Sequence, residues 1–260
     1  MSEGAWKRLR AWSNEPQTAA ILTDIDGTLA PIAPTPDAAK VPEELKRLVA
    51  DLSEKYLLVA GITGRKTEEA RDLVGLDALA YFGNHGFEVL RDGEVEVIPK
   101  ALPYLEKVEE LERLSHENLD PLGAFVEDKG ITASIHFRNA PPDVGEKCVE
   151  FVREHGERLG LRVTVGRGIV EARPPIKTDK GTAVRTLIEE YRPEKAMFLG
   201  DDTTDLDAFR ELERLREEGT LEDILRVGVK SDEGPPEIVS EADIVVEGVE
   251  GVGEALRALL

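Results

Sequence analysis

Asp24 and Asp26 stand on either side of one apolar residue, Ile25, where the apolar run from Thr18 to Thr23 stops. Residues two apart in an extended segment point the same way, so both carboxylates share a face. Gly27, directly after them, lets the backbone turn sharply. Two other apolar runs end in comparable groups: Tyr56 to Ala60 leads to Thr63 and Arg65, and Lys195 to Leu199 leads to Asp201, Asp202 and Asp205. Carboxylates gathered at one sheet edge repel one another unless a cation sits among them. Hard oxygen ligands with no His or Cys pairing predict Mg2+ and argue against zinc.

These groups need a scaffold that brings three strand ends together. The runs ending at Thr23 and Ala60 read as buried parallel strands. Between them Leu45, Leu48, Val49 and Leu52 recur at helical spacing behind Pro42, and a second helical pattern runs from Thr67 to Val74. Strand, helix, strand, helix predicts a doubly wound parallel sheet with ligands at the carboxyl ends of its strands. After Leu79–Phe82 and Gly83–Gly86 the rhythm changes to a hairpin with its turn at Asp92-Gly93. Two α-β-β repeats follow. The first has Leu102, Leu105, Val108, Leu111 and Leu114 on its helix and a turn at Asp128–Gly130; the second has a helix from Val144 to Leu159 and a turn at Gly166–Gly168. A helix from Lys180 to Tyr191, three more strands and a terminal helix from Val252 resume the first pattern. The fold class expected is therefore α/β, with a doubly wound core made of residues 1–86 and 175–260 and an inserted α+β domain of residues 87–174.

Composition narrows the classes of function. The chain of 260 residues carries 53 acidic against 33 basic side chains, a net charge of −20, which argues against a nucleic-acid partner. Its 41% apolar content supports a real core. No apolar stretch approaches the roughly 18–20 residues that span a bilayer, so no membrane partner is expected. The first 16 residues lack the apolar stretch of a signal peptide, and the lone Cys148 sits in a helical pattern as a packed or surface thiol; both readings point to a reducing cytoplasm. Gln occurs once, Asn four times and Met twice beside 35 Glu, the composition of a heat-adapted protein, which predicts melting above about 60 °C. The segment Trp6–Trp12, with tryptophans six apart, packs either on the core or on a partner.

The order Asp24-Ile-Asp-Gly-Thr28, Ile62-Thr-Gly-Arg65, Lys180 opening a helix and Gly200-Asp-Asp-Thr-Thr-Asp205 resembles the haloacid-dehalogenase superfamily of phosphohydrolases. Within it, Gly83-Asn-His-Gly86 with Glu88, Val126-Glu-Asp-Lys-Gly130, Glu171-Ala-Arg-Pro174 and Asp179-Lys-Gly-Thr-Ala183 resemble the trehalose-6-phosphate phosphatases, from about Ala19 onward. The resemblance implies Mg2+-dependent hydrolysis of a sugar phosphate through an aspartyl-phosphate. Asp24 is then the nucleophile and Asp26 the acid and base, with Thr63 and Lys180 on the phosphoryl oxygens. Asp24, the carbonyl of Asp26 and Asp201 hold the metal, and Asp205 joins that acidic group or orients Lys180. The insert is a cap that closes over the sugar and excludes water. A disaccharide is all hydroxyls, so Glu127, Lys129, His136 and Arg138 on one hairpin are its expected readers, with Asn84, His85 and Gly86 where core and cap meet, Arg65 at its strand end, and Glu171 at the return hinge beside Arg173. A trehalose-6-phosphate synthase is the candidate protein partner. Sucrose 6-phosphate or a mannosyl phosphoglycerate fits the same chemistry, and only cap residues separate these substrates. A non-catalytic subunit that binds trehalose 6-phosphate is the rival of another class, opposed by the intact Asp24, Asp26 and Lys180.

Lysine is electrostatically unhelpful at a helix start, so Lys180 is expected to serve another group. Asp207 reads as an acid suited to the first turn of its helix, and His116 and His155 as solvated helix residues.

Overall fold

The computed structural model describes residues 3–33, 35, 38–91, 93–231 and 234–260, so Asp92 of the expected hairpin turn lies outside the described residues. The chain divides into two compact units, Met1–Val95 with Thr178–Leu260, and Glu96–Lys177.

The larger unit begins with α1 (Glu3–Trp12), whose Leu9 and Trp12 are buried in the core. Arg8 donates to the Asp223 carboxylate and the Ile224 carbonyl, and Trp12 Nε1 donates to Asp223 Oδ2 at 3.1 Å. The N-terminal tryptophan segment therefore packs on its own core. There follow β1 (Ala19–Thr23), α2 (Glu43–Ser53), β2 (Leu58–Ile62), α3 (Thr67–Val74), β3 (Ala80–Gly83), β4 (Glu88–Arg91) and β5 (Glu94–Val97). Every residue of β1 and β2 is buried, as the unbroken apolar runs require of strands covered on both faces.

The smaller unit holds α4 (Leu105–Leu119), β6 (Phe125–Asp128), β7 (Ala133–His136), α5 (Val144–Arg158), β8 (Arg162–Gly166) and β9 (Ile169–Arg173). Its antiparallel sheet has the order β6-β7-β9-β8, so the second strands of the two α-β-β repeats lie side by side. Alternation divides that sheet. Val126, Ala133, Ile135, Val170 and Ala172 join a core with Val108, Leu111, Cys148 and Val152 of the two helices, while Glu127, Ser134, His136 and Glu171 belong to the opposite face. Burial raises the pKa of Cys148, which makes it a packed, unreactive thiol.

Back in the larger unit come α6 (Lys180–Tyr191), β10 (Lys195–Gly200), α7 (Asp205–Glu217), β11 (Asp223–Lys230), α8 (Pro236–Glu241), β12 (Ile244–Glu247) and α9 (Gly248–Arg257). The main sheet has the order β12-β11-β10-β1-β2-β3-β4-β5, parallel from β12 to β3. β4 then pairs antiparallel with β3, which carries the larger unit beyond residue 86. Period-two alternation builds a core on each face: Ile21 packs with Leu45, Leu48 and Leu256 on one side, and Ala20 and Leu22 with Leu187, Phe198 and Phe209 on the other. Phe198 and Phe209 meet edge to face with centroids 6.1 Å apart.

β1 is flanked by β2 and β10, so the chain order reverses at β1, and the loops leaving these three strands meet at one carboxyl edge. Those loops carry Asp24, Thr63 and Asp201.

Candidate active site

Asp24 follows the last residue of β1, and its N–H donates to the Leu199 carbonyl of β10 at 2.8 Å, which ties the two strand ends together. Ile25 is fully buried, and its carbonyl accepts from the N–H groups of Leu29 and Ala30, each at 2.8 Å. This tight turn anchors the segment through Ile25. Asp24 is 4% exposed and Lys180 3% exposed, yet both are charged residues, so each needs a partner. Lys180 Nζ lies 2.6 Å from Asp24 Oδ1 and 2.6 Å from Asp205 Oδ1.

The lysine sits in the first turn of α6 because Asp179 caps that helix, accepting from Thr182 N at 2.8 Å and from Thr182 Oγ1 at 3.0 Å. Close approach to α7 is possible only because residue 181 is glycine: a Cβ there would lie 2.6 Å from the Asp207 carbonyl. Asp205 opens α7, is fully buried, and uses both oxygens. Oδ1 faces Lys180, while Oδ2 accepts from the N–H groups of Asp201 at 3.0 Å and Asp202 at 2.9 Å. Asp205 thus holds both the lysine and the acidic loop in place. Asp202 is exposed, and its Oδ1 accepts from Thr203 N at 2.6 Å within the same loop.

Burial pushes the Asp24 carboxyl well above the usual carboxylate range; Lys180 opposes the rise, and Asp205 and Asp201 add to it. Asp201 is pushed up to about 7, by burial first and then by repulsion from Asp205. Burial also works against the charge of Lys180, but Asp205 and Asp24 more than offset it and hold the ammonium above its usual range.

Asp24, Asp201 and Asp205 each offer a carboxylate oxygen within 4.8 Å of the others. Three buried carboxylates against one ammonium leave negative charge in excess, and the donors are hard oxygens only, so the group fits a divalent cation. The backbone fits as well. Gly27 has φ +85°, and a Cβ on it would fall 2.0 Å from Asp201 Oδ2, so only glycine leaves that carboxylate its position.

Asp26 is held by Arg65. Nε donates to Oδ2 and a terminal nitrogen to Oδ1, both at 2.6 Å, in a fork-to-fork pair. Arg65 is fixed in turn. Its N–H donates to Thr63 Oγ1 at 3.1 Å and its carbonyl accepts from Asn84 N at 2.8 Å. Thr63 is almost fully buried at the end of β2, and its carbonyl accepts from His85 N at 3.1 Å.

Asn84, His85 and Gly86 turn with φ of +49°, +54° and +95°, a left-handed run unusual for its first two residues. Glu88 accepts a side-chain bond from Asn84 and stabilises that turn, with burial raising its own carboxyl. A Cβ on Gly64 would meet the His85 ring at 2.7 Å, so the ring lies directly on the loop that carries Thr63.

In the smaller unit Glu127 Oε2 lies 2.8 Å from His136 Nε2 and 3.5 Å from Lys129 Nζ. Burial opposes the Glu127 charge, but His136 and Lys129 outweigh it and hold the carboxyl below its usual range. Glu171 reaches the same face through register: Glu127 pairs with Ser134, and Ser134 with Glu171. Arg138 bonds instead to the turn between β8 and β9, donating to the Arg167 carbonyl at 3.3 Å. Ser134 was not among the expected site residues. It is buried with its Oγ unpartnered, and Arg173 Nε on the same face is likewise unpartnered. The alternation of Ala133-Ser134-Ile135-His136 is the signal that places Ser134 beside the expected residues.

Among the residues expected to stay outside the site, His116 bonds Asp120 at 2.7 Å, and His155 stacks on Phe151 with centroids 4.0 Å apart.

A family profile described as trehalose-phosphatase matches residues 22–235. A trehalose-phosphate phosphatase of Mycobacterium marinum is 36% identical over 200 residues, which cover 73% of this chain and 50% of the relative. The trehalose-6-phosphate phosphatase C-terminal domain of C. albicans superposes with a TM-score of 0.72 at 25% identity, covering 98% of this chain and 96% of that one. A haloacid dehalogenase-like hydrolase from Bacteroides thetaiotaomicron shares the fold, with a TM-score of 0.66 at 15% identity over 94% of this chain and 100% of that one. The chain spans about half the length of the curated trehalose-phosphate phosphatases it matches. The chain belongs to the trehalose-phosphatase family.

Proposed function

We propose that the protein is a Mg2+-dependent phosphatase that hydrolyses trehalose 6-phosphate to trehalose and inorganic phosphate through a phosphorylated Asp24. The observation that carries this reading is the buried contact of Lys180 with Asp24 and Asp205 at the carboxyl edge of the sheet, in a chain of this family. Asp24, Asp201 and the Asp26 carbonyl would hold the cation, with Asp205 completing the acidic group; when bound, the cation offsets repulsion between the Asp24 carboxylate and the phosphate dianion.

In the first step an Asp24 oxygen bonds to phosphorus and the bond from phosphorus to the sugar oxygen breaks, with Asp26 giving its proton to that leaving oxygen. In the second step water attacks phosphorus, Asp26 takes its proton, and the Asp24–phosphorus bond breaks. Lys180 and Thr63 hold the phosphoryl oxygens by charge and hydrogen bond. Each oxygen of Asp26 accepts one bond from Arg65 in this structure and keeps a further lone pair for a proton, and a phosphoryl oxygen is a second natural partner for that guanidinium. Asn84, His85 and Gly86 contribute to the same pocket through the loop of Thr63. Glu127, Lys129, His136 and Glu171 supply the donors and acceptors that sugar hydroxyls require. The buried, unreactive Cys148 is compatible with a reducing cytoplasm, and a trehalose-6-phosphate synthase remains the partner we propose to test.

Phosphate release from trehalose 6-phosphate, sucrose 6-phosphate, a mannosyl phosphoglycerate, glucose 6-phosphate and an aryl phosphate, with Mg2+ and with chelator, tests the reading. The expected result is metal-dependent turnover that strongly favours trehalose 6-phosphate. A different ranking overturns the substrate, and no release from any of them overturns the activity in favour of a binding subunit.

A further inference from the structure

Phe125 is 64% exposed, the largest exposure among the described large apolar side chains, and it is the only aromatic in that group. It lies on β6, an edge strand, where an exposed apolar ring invites pairing with another chain. Natural edges carry charge or proline to prevent this, so an aromatic ring left in water there calls for a use. Its surroundings indicate which. Phe125 pairs in register with His136, their rings 5.9 Å apart and tilted by 38°. Glu127, two residues along the strand, points to the same face and bonds His136 at 2.8 Å. Ser134, the register partner of Glu127, is fully buried with its Oγ unpartnered.

An exposed ring bordered by a carboxylate and an imidazole is complementary to a pyranose. A sugar ring has a face of C–H groups that covers an aromatic ring and a rim of hydroxyls that needs both donors and acceptors. A protein partner of this acidic molecule would find one ring on a polar strand, too little for a stable interface.

Resting on the proposed phosphatase activity, we infer that Phe125 is an aromatic platform on which a glucose ring of the disaccharide lies, with Glu127 and His136 at its hydroxyls. Phe125 then contributes to specificity for a disaccharide phosphate over compounds with no second sugar ring.

The test compares wild type with Phe125→Ala and Phe125→Trp. Phe125→Ala is expected to raise KM for trehalose 6-phosphate on the order of 2- to 10-fold, with kcat unchanged, KM for an aryl phosphate unchanged, and Phe125→Trp restoring KM. A binding readout stands apart from turnover: the fluorescence of Phe125→Trp should change saturably when trehalose is added. Unchanged KM in Phe125→Ala together with no fluorescence response overturns the platform, even where wild type hydrolyses trehalose 6-phosphate. A change of oligomeric state in Phe125→Ala, with the same KM, also overturns it and assigns the ring to contact between two copies. Should wild type release no phosphate while Phe125→Trp still responds to trehalose, the platform stands and the phosphatase reading falls.

Discussion

The acidic group of the larger unit and the polar sheet face of the smaller one use the same kinds of side chain under opposite physical conditions. Asp24, Asp201, Asp205 and Lys180 are buried, and each is held by another charge, a backbone amide or a glycine that leaves room for nothing larger. Their geometry is over-determined, so a change at one is felt by all. Glu127, Lys129 and His136 are partly open to water, joined to one another through Glu127, and carried on a short hairpin that has its own core behind it. Chemistry on a phosphorus atom needs the first arrangement, where preorganised charge acts in a site poor in water. Reading hydroxyls needs the second, where each contact adds a little and none decides the outcome.

This contrast is broken most severely by Asp24→Asn. Turnover should fall by at least about 10^3-fold with the circular dichroism spectrum unchanged, because the nucleophile is lost and its shape kept. Retained turnover would remove Asp24 from the chemistry.

Lys180→Met comes next. It leaves three buried carboxylates without their cation, and stability should fall by about 3–5 kcal/mol in chelator, as when one partner of a buried ion pair is removed. Added divalent cation should recover much of that loss in urea denaturation. A loss below about 1 kcal/mol would mean that the group is better solvated than its burial implies.

The third effect is pH dependence without divalent cation. Burial and the neighbouring acids push Asp201 up to about 7 in the folded chain, against about 3.9 for an unfolded aspartate. Between these values the folded state binds the extra proton. Stability from this group is therefore fully present below about pH 4 and is lost as pH rises through about 7. Melting temperatures in chelator should fall from pH 5 to pH 8, and Asp201→Asn should flatten the slope. A rise over that range in wild type would contradict the crowding of acids described here.

Glu127→Gln is the mildest. It keeps size and a hydrogen bond to His136 but gives up charge, so KM for the sugar phosphate should rise by about 3- to 10-fold, the net worth of one ordinary hydrogen bond. The melting temperature should stay within about 2 °C of wild type. A collapse of kcat instead would make the two regions alike.

The buried site was the more legible of the two in the sequence, for a physical reason. Strands covered on both faces need unbroken apolar runs, so Thr18–Thr23 and Lys195–Leu199 announce their own ends, and a polar residue directly after such a run must lie at the sheet edge. The fork-to-fork pairing of Asp26 with Arg65 was not legible, because it joins residues 39 apart in sequence and depends on how two loops leave neighbouring strands. Nor was the way Asp205 spends both oxygens on Lys180 and the loop amides, which only the start of α7 reveals. The hairpin turn dominates the local pattern and assigns β4 to the insert, while its pairing to β3 is a tertiary choice. Ser134 and Phe125 carry no signal in the sequence, since a serine and a phenylalanine in a strand are ordinary until burial and exposure are known.

The central claim, that Asp24 takes up the phosphoryl group before water does, is tested most directly by acid-quenching single turnovers with phosphorus-labelled trehalose 6-phosphate and mapping the label on the chain. Label should appear transiently on the peptide that contains Asp24, decay as phosphate is released, and be absent from Asp24→Asn. Full phosphate release with no protein-bound label at any time would contradict the covalent route and leave direct attack by water.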